Sequence, residues 1–94
     1  MKIVWSDFAI SNLNEISIYY TKKESLELSK NIIKDILTST KSLNLFPNVG
    51  RIVPEYDDNS IREIFIYKFR IIYEIKINKI EILFIAHMSK NFKK

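Results

Sequence analysis

The feature that most constrains the fold is a change of hydrophobic period at residues 46–50. Before this segment, apolar residues recur every three or four positions, which is the spacing of an amphipathic helix. After it, short segments rich in Ile, Phe and Tyr alternate with polar turns, which is typical of β-strands. Pro47 cannot continue a helix and Gly50 permits a turn, so the helical half ends here. Helices followed by strands predict an α+β domain.

Two helices are predicted in the first half, after a short strand over residues 1–5. The first covers residues 7–20, and either Ser6 or Asp7 offers an oxygen to its free amide groups. The second covers residues 24–45. Neither helix contains Gly or Pro, and the three residues between them predict an antiparallel helix hairpin.

The second half predicts a short strand over residues 51–53 and three longer strands over residues 61–67, 69–77 and 80–87. Tight turns at Lys68 and at residues 78–79 make the longer strands an antiparallel meander. The helix hairpin must then cover one face of a small antiparallel sheet. A chain of 94 residues rarely divides into two cores, so residues 1–94 are interpreted as a single domain.

Alternation along residues 69–77 assigns each side chain to a face of the sheet. Phe69, Ile71 and Tyr73 share the face suited to the helices, so Arg70 points to the other face. A two-layer domain leaves that other face open to solvent or to a partner. His87 lies at the end of the last strand, and we expect an exposed, concave sheet face that carries Arg70 and His87.

The composition excludes several classes of protein. The chain has no Cys, one His and one Gly, which excludes a disulfide framework, a Cys or His metal cluster and a Gly-rich phosphate loop. No apolar run approaches the ~18–20 residues of a membrane span. No apolar signal core precedes the first acidic residue. We therefore expect a cytoplasmic protein that uses no metal or cofactor.

The basic residues are mostly Lys, and the few Arg residues are clustered in the sequence. The net charge is +4, which favours a polyanion or an acidic protein as partner. The chain has twelve Lys but three Arg, and Arg51, Arg62 and Arg70 all lie within one segment of 20 residues. The planar fork of Arg suits phosphate or carboxylate, so these residues are either phosphate contacts or members of ordinary salt bridges on a sheet.

An ordered series of short motifs over about residues 2–90 resembles the RelE/ParE superfamily of small bacterial toxins from type II toxin–antitoxin modules. The motifs are Trp5-Ser6 before a helix, Leu43-x-x-Phe46-Pro47-x-x-Gly50-Arg51-x-x-Pro54-Glu55, Arg62-Glu63-Ile64, Phe69-Arg70-Ile71-Ile72-Tyr73 and Ile82-Leu83-Phe84-Ile85-x-His87. The resemblance implies the same fold, a helix hairpin on a sheet. It also implies one of two activities, between which the fold cannot decide.

RelE-like and YoeB-like members of the superfamily are mRNA endonucleases that usually act in the ribosomal A site. Resemblance to the YoeB-like members places Glu55, Arg70 and His87 at catalytic positions. Metal-free RNA cleavage needs a base for the 2′-hydroxyl, an acid for the leaving 5′-oxygen and fixed positive charge at the phosphate. Glu55 or His87 would be base and acid, and Arg70 would hold the phosphate. Further RNA or phosphate contacts are expected from Arg51, Arg62 and Lys90.

Each of these assignments has a structural alternative, and the motifs depart from the nuclease pattern. Arg70 could pair with Glu63 or Glu74 across the sheet, and His87 could be a surface residue at a strand end. Ile64 stands where RelE-like members have their second catalytic Lys. Met88 stands where YoeB-like members have a Tyr, and the late Arg of many members is replaced by Lys90 at best.

ParE-like members poison DNA gyrase and are not known as nucleases, and they match the motifs around Phe46–Glu55 and Arg62-Glu63 at least as well. The sequence interpretation prefers ribosome-dependent mRNA cleavage and keeps gyrase inhibition as the alternative. The expected partners are therefore the ribosome and mRNA, or DNA gyrase. Under either activity, the resemblance implies neutralisation by an acidic, partly disordered antitoxin. A third possibility is that the chain is a module that only binds an antitoxin. Expression of such a module would not arrest growth.

Overall fold

The computed structural model describes residues 1–89 of the chain. Within that range the elements are β1 (Lys2–Trp5), α1 (Asp7–Lys23), α2 (Leu26–Lys41), a 3-10 turn (Ser42–Asn44), β2 (Arg51–Ile52), β3 (Ile61–Ile66), β4 (Phe69–Ile75) and β5 (Lys79–His87). The strands form one sheet in the order β1-β5-β4-β3-β2. The two helices pack on one face of this sheet, which confirms the predicted α+β layout.

The sheet is mixed, whereas the sequence pattern indicated an antiparallel one. The meander of β3, β4 and β5 is antiparallel as predicted, and β2 joins β3 in the same sense. Strand β1, however, pairs with β5 in parallel, with Lys2 opposite Lys79 and Trp5 opposite Ile82. Parallel neighbours need a long crossover between them. Here that connection includes the helix hairpin and the rest of the sheet.

Serine side chains cap both helices. The Ser6 hydroxyl accepts a hydrogen bond from the Ala9 amide at 3.0 Å, and the Ser25 hydroxyl accepts one from the Leu28 amide at 3.0 Å. Both caps satisfy amide groups that lack a partner within the helix. Helix α1 continues three residues beyond its predicted end, since residues 21–23 contain no Gly or Pro to stop it.

Helix α2 is shorter than predicted. It begins after its Ser25 cap and ends at Lys41, where the chain tightens into the 3-10 turn instead of continuing to Leu45. Leu43 in that turn is fully buried, so the apolar pattern that suggested a longer helix reflects burial of the turn.

The core lies between the helices and the sheet. Its buried members are Ala9, Ile16, Tyr20, Ile32, Ile36, Leu43, Phe69, Ile71, Tyr73, Ile80, Ile82 and Ile85. The predicted alternation along β4 is confirmed, since Phe69, Ile71 and Tyr73 belong to this core. No helix within residues 1–89 is long and apolar enough to cross a membrane.

The sheet face opposite the helices is not open at its centre, contrary to the expectation from the sequence. Ile72 and Arg70 point to this face and are both buried. The loop over residues 53–60 packs over this face of the sheet. Within the loop, Val53 is fully buried and the Glu55 carboxylate contacts Arg70. A loop between two strands therefore closes the surface that was expected to receive a partner.

A bulge changes the face to which His87 belongs. Ile72 pairs with Phe84 but Tyr73 pairs with Ile82, so β5 contains one extra residue. Beyond this point, His87 pairs with Phe69 on the helix side of the sheet, whereas Arg70 lies on the other side. The expected single face carrying both Arg70 and His87 does not form, because an extra residue reverses the alternation of side chains.

Candidate functional site

Four charged side chains meet at the sheet face opposite the helices. Arg51 is in β2, Glu63 in β3 and Arg70 in β4, and Glu55 lies in the loop between β2 and β3. The Arg70 Nη1 and Nη2 atoms donate to the two carboxylate oxygens of Glu55 at 2.7 and 2.8 Å. The Arg70 Nε atom donates to Glu63 at 2.6 Å. We call Arg51, Glu55, Glu63 and Arg70 the charge network.

The centre of the charge network is removed from water. The side chains of Arg70, Glu63 and Glu55 are 6%, 0% and 10% exposed. The hydrogen bonds to Glu55, followed by those to Glu63, raise the pKa of Arg70 above its already high usual value, although burial opposes this. Arg70 is therefore permanently charged, and its donors on all three nitrogens point at carboxylates.

Arg51 is the more accessible cation of the charge network. Its Nε atom donates to the second oxygen of Glu63 at 2.6 Å, while 57% of its side chain remains exposed. Its guanidinium also lies over the Phe65 ring, 5.0 Å from the centroid. Such stacking holds the guanidinium plane in a defined position.

Arg62, the second expected phosphate contact, holds backbone carbonyl groups instead. Its Nη1 atom donates to the carbonyl oxygen of Gly50 at 2.9 Å and, more weakly, to that of Asn48 at 3.4 Å. Its Nε atom is buried and has no hydrogen-bond partner among residues 1–89. The third expected contact, Lys90, lies outside the described residues.

His87 is exposed at the end of β5. Its Nδ1 atom accepts a hydrogen bond from the Ser89 amide at 3.1 Å and lies 2.9 Å from the Ser89 hydroxyl. Its ring meets the Phe69 ring edge-on at 5.9 Å. His87 lines a cleft of about 700 Å³ on the helix side, together with Tyr19 and Tyr20. The structure thus brings Glu55 and Arg70 together and places His87 on the other face of the sheet.

Tyr73 joins the core to the loop before β2. Its hydroxyl donates to the carbonyl oxygen of Pro47 at 2.8 Å and accepts from the Gly50 amide at 3.0 Å. Burial raises the pKa of Tyr73, and the hydrogen bond from Gly50 opposes that rise. Sequence reasoning assigned Tyr73 to the core but missed this bond pair. Two sequence features could have indicated these bonds. Tyr73 carries a hydroxyl on a face that is otherwise apolar, and the loop spacing Pro47-x-x-Gly50 offers backbone groups to pair with it.

Glu63 is the other residue whose role sequence reasoning undervalued. It was considered as a structural partner of Arg70, and the structure places it, fully buried, between Arg70 and Arg51. No group of three or more acidic or His side chains that could hold a metal ion occurs in residues 1–89. The charge network has two Arg against two Glu, so its formal charges cancel.

The helix hairpin packed on one face of a mixed five-stranded sheet defines a small two-layer α+β domain. Residues 3–92 match the family described as the ParE toxin of the type II toxin–antitoxin system, parDE. The chain belongs to this family, which confirms the resemblance to the RelE/ParE superfamily.

Solved structures show the same fold. The chain is similar to a protein of the chromosomal ParDE toxin–antitoxin system from P. aeruginosa, with a TM-score of 0.80 and 23% identity over 95% of this chain and 97% of that one. It is also similar to a chain of the YoeB–YefM complex from Staphylococcus aureus, with a TM-score of 0.59 and 18% identity over 93% and 95%. The YoeB dimer from the same organism gives 0.58 and 18% over 98% of both chains. No curated protein matches the sequence.

Proposed function

We propose that this toxin arrests growth by inhibiting DNA gyrase and does not cleave RNA. The observation that carries the proposal is the pairing of Arg70 with Glu55 and Glu63. A phosphate clamp needs a guanidinium with donors directed at the substrate. Here the donors are directed at the Glu55 and Glu63 carboxylates, which occupy the positions that phosphate oxygens would need. Membership of the ParE family agrees with a toxin that is not a nuclease.

The position of His87 supports the same proposal. A general base and a general acid must both reach one phosphodiester, each at hydrogen-bonding distance. Glu55 is held by Arg70 on one face of the sheet, and His87 pairs with Phe69 on the other. To act with His87 on a single scissile bond, Glu55 would have to leave the two hydrogen bonds that hold it to Arg70.

Ribosome-dependent mRNA cleavage, the preference from sequence, is the second candidate. Two observations favour it: Glu55 and Arg70 are in contact, and the fold is similar to that of YoeB. The contact and the fold similarity describe the architecture of the domain. Neither of them provides a site at which an RNA phosphate could reach Arg70. Both candidates keep the expected cytoplasmic location, where DNA gyrase and ribosomes act.

We further propose that a cognate antitoxin neutralises this chain, as expected under either activity. Two of the similar structures are named as toxin–antitoxin systems or complexes. Exposed apolar side chains occur along the helix hairpin, at Ile10, Ile18, Leu26 and Leu37, and the chain carries a net charge of +4. An acidic amphipathic segment complements this combination. Co-expression with a small acidic protein encoded next to this chain should restore growth and yield a stable complex.

The test of the activity is a pair of assays on the purified chain. We expect it to inhibit the supercoiling of relaxed plasmid by gyrase and to leave mRNA intact on programmed ribosomes. The variant His87→Gln separates the candidates, because His87 is exposed and its replacement should not disturb the fold. Under the proposal His87→Gln still arrests growth. Loss of arrest in this folded variant, with ribosome-dependent mRNA cleavage by the parent chain, would overturn it.

A further inference from the structure

The loop that joins the 3-10 turn to β2 exposes three large apolar side chains. Leu45, Phe46 and Val49 are 73%, 63% and 67% exposed. They occur within five consecutive residues, so they form one local cluster. We call residues 45–49 the apolar loop. Scattered single apolar residues are normal on protein surfaces, but a cluster of this kind marks an interaction site.

The apolar loop has a fixed backbone. The Val49 amide donates to the Phe46 carbonyl oxygen at 3.2 Å, which closes a β-turn with Pro47 at its preferred second position. The buried Tyr73 hydroxyl donates to the carbonyl oxygen of Pro47. Just beyond the loop, the Gly50 amide donates to the same hydroxyl. The core residue Tyr73 therefore holds the backbone of this loop, while the side chains of Leu45, Phe46 and Val49 are exposed.

A loop that is already ordered loses little conformational entropy when it binds. Apolar side chains presented in this way act as anchors, because the binding free energy is not spent on ordering them. A disordered antitoxin must itself be ordered and wraps an extended surface. The helix hairpin offers such a surface, whereas a short rigid loop fits a pocket on a folded protein.

Charge around the apolar loop indicates the character of the partner. The sequence contains no Asp or Glu between Asp35 and Glu55, and Lys41 precedes the loop. The Arg62 guanidinium lies against the loop, where it donates to the carbonyl oxygen of Asn48 at 3.4 Å. A second copy of this chain would bring the same positive charges together. A partner with an apolar pocket and an acidic rim complements the loop.

We propose that the apolar loop is the anchor by which this chain binds its target, an apolar pocket with an acidic rim on DNA gyrase. The identity of the target rests on the proposed function, whereas the role of the loop is tested separately from it. Phe46 and Val49 insert into the pocket, and Lys41 faces its rim.

The experiment uses the variants Phe46→Ser, Val49→Asp and Lys41→Glu in the full chain. The matched control is Ile77→Ser, because Ile77 is also a large apolar residue and is fully exposed at the turn between β4 and β5. Thermal unfolding checks that each variant is folded. Binding to immobilised gyrase and growth arrest after induction are then measured for every variant, and binding to the cognate antitoxin is measured in parallel.

We expect Phe46→Ser and Val49→Asp to weaken gyrase binding at least about 30-fold, the effect of losing an anchor residue. Lys41→Glu should slow association, most visibly at low salt. All three should reduce growth arrest, while Ile77→Ser and all antitoxin complexes remain unchanged. Folded loop variants that still arrest growth and bind gyrase as the parent does would overturn the proposal.

Other outcomes are equally decisive. If the parent chain does not bind gyrase, the proposed function fails; loss of arrest in the loop variants would then keep the loop as the target contact and reject gyrase as its partner. If the loop variants lose only antitoxin binding, the loop belongs to the antitoxin interface. If they only convert a dimer of the parent chain into monomers, the loop belongs to a self-interface. Either result overturns the proposal.

Discussion

Replacing Glu63 by Gln would remove the negative charge that lies between two guanidinium groups. The Glu63 carboxylate is fully buried and accepts hydrogen bonds at 2.6 Å from both Arg51 and Arg70. Gln keeps the volume of the side chain but supplies a single acceptor oxygen. Its amide group would point hydrogen atoms at one of the two cations. Within the charge network, Glu55 would then be the one carboxylate that remains beside Arg70.

The expected loss of stability follows from these contacts. Removing one partner of a buried ion pair costs ~3–5 kcal/mol. We expect the lower end, about 3 kcal/mol, because Arg70 keeps its two bonds to Glu55 and more than half of the Arg51 side chain is in solvent. For a domain of this size, 1 kcal/mol lowers Tm by roughly 4–8 °C, so Tm should fall by roughly 12–24 °C.

Urea unfolding followed by circular dichroism and by Trp5 fluorescence measures this difference. The matched control is Glu74→Gln, the same chemical change at a residue of β4 that is 31% exposed and 4.0 Å from Lys76. Its effect should stay within about 0.5 kcal/mol, as for other surface substitutions. A cost below about 1 kcal/mol for Glu63→Gln, or one equal to that of the control, would show that the buried carboxylate does not stabilise the fold through its two ion pairs.

Three further predictions concern the apolar loop's attachment and a helix cap. Gly50→Ala should lower stability by ~1–3 kcal/mol by overpacking, because the added Cβ would lie 2.5 Å from the Tyr73 hydroxyl; thermal unfolding measures this, and an unchanged Tm would contradict it. Tyr73→Phe should cost about 2 kcal/mol through two lost hydrogen bonds. Because burial raises the pKa of Tyr73 above its ordinary 10.0, the unfolded chain loses this proton first and stability falls as pH rises past 10.0; Tyr73→Phe should flatten that fall in urea titrations, and an unchanged slope would argue against it. Ser25→Ala removes the cap on the Leu28 amide and should cost about 1 kcal/mol in the same unfolding assay, with no effect if the cap is not formed.

The parts of the fold that depend on neighbouring residues were predictable from the sequence. Helical spacing located α1 and α2, and alternation along β4 assigned Phe69 and Tyr73 to the core. Polar breaks located the meander. These signals act over a few residues, so a single sequence contains them. The parallel pairing of β1 with β5 joins segments more than 70 residues apart, and no local pattern encodes its direction.

The candidate site was harder to predict, because it depends on three departures from local rules. The extra residue in β5 moves His87 to the helix side. The loop that carries Glu55 folds back onto Arg70, although alternation alone leaves that face open. Gly50 is required by the close approach of Tyr73 rather than by a positive φ angle. Each departure depends on long-range packing, which residue periodicity does not report.

The most direct test of the central claim is pulse labelling after brief induction of the chain in a bacterial host that lacks the antitoxin. Incorporation of labelled thymidine and of labelled methionine is followed separately over the first minutes. We expect DNA synthesis to stop first, cells to become filamentous and mRNA to remain intact while translation continues. An immediate stop in methionine incorporation with cleaved mRNA, while DNA synthesis continues, would contradict this expectation.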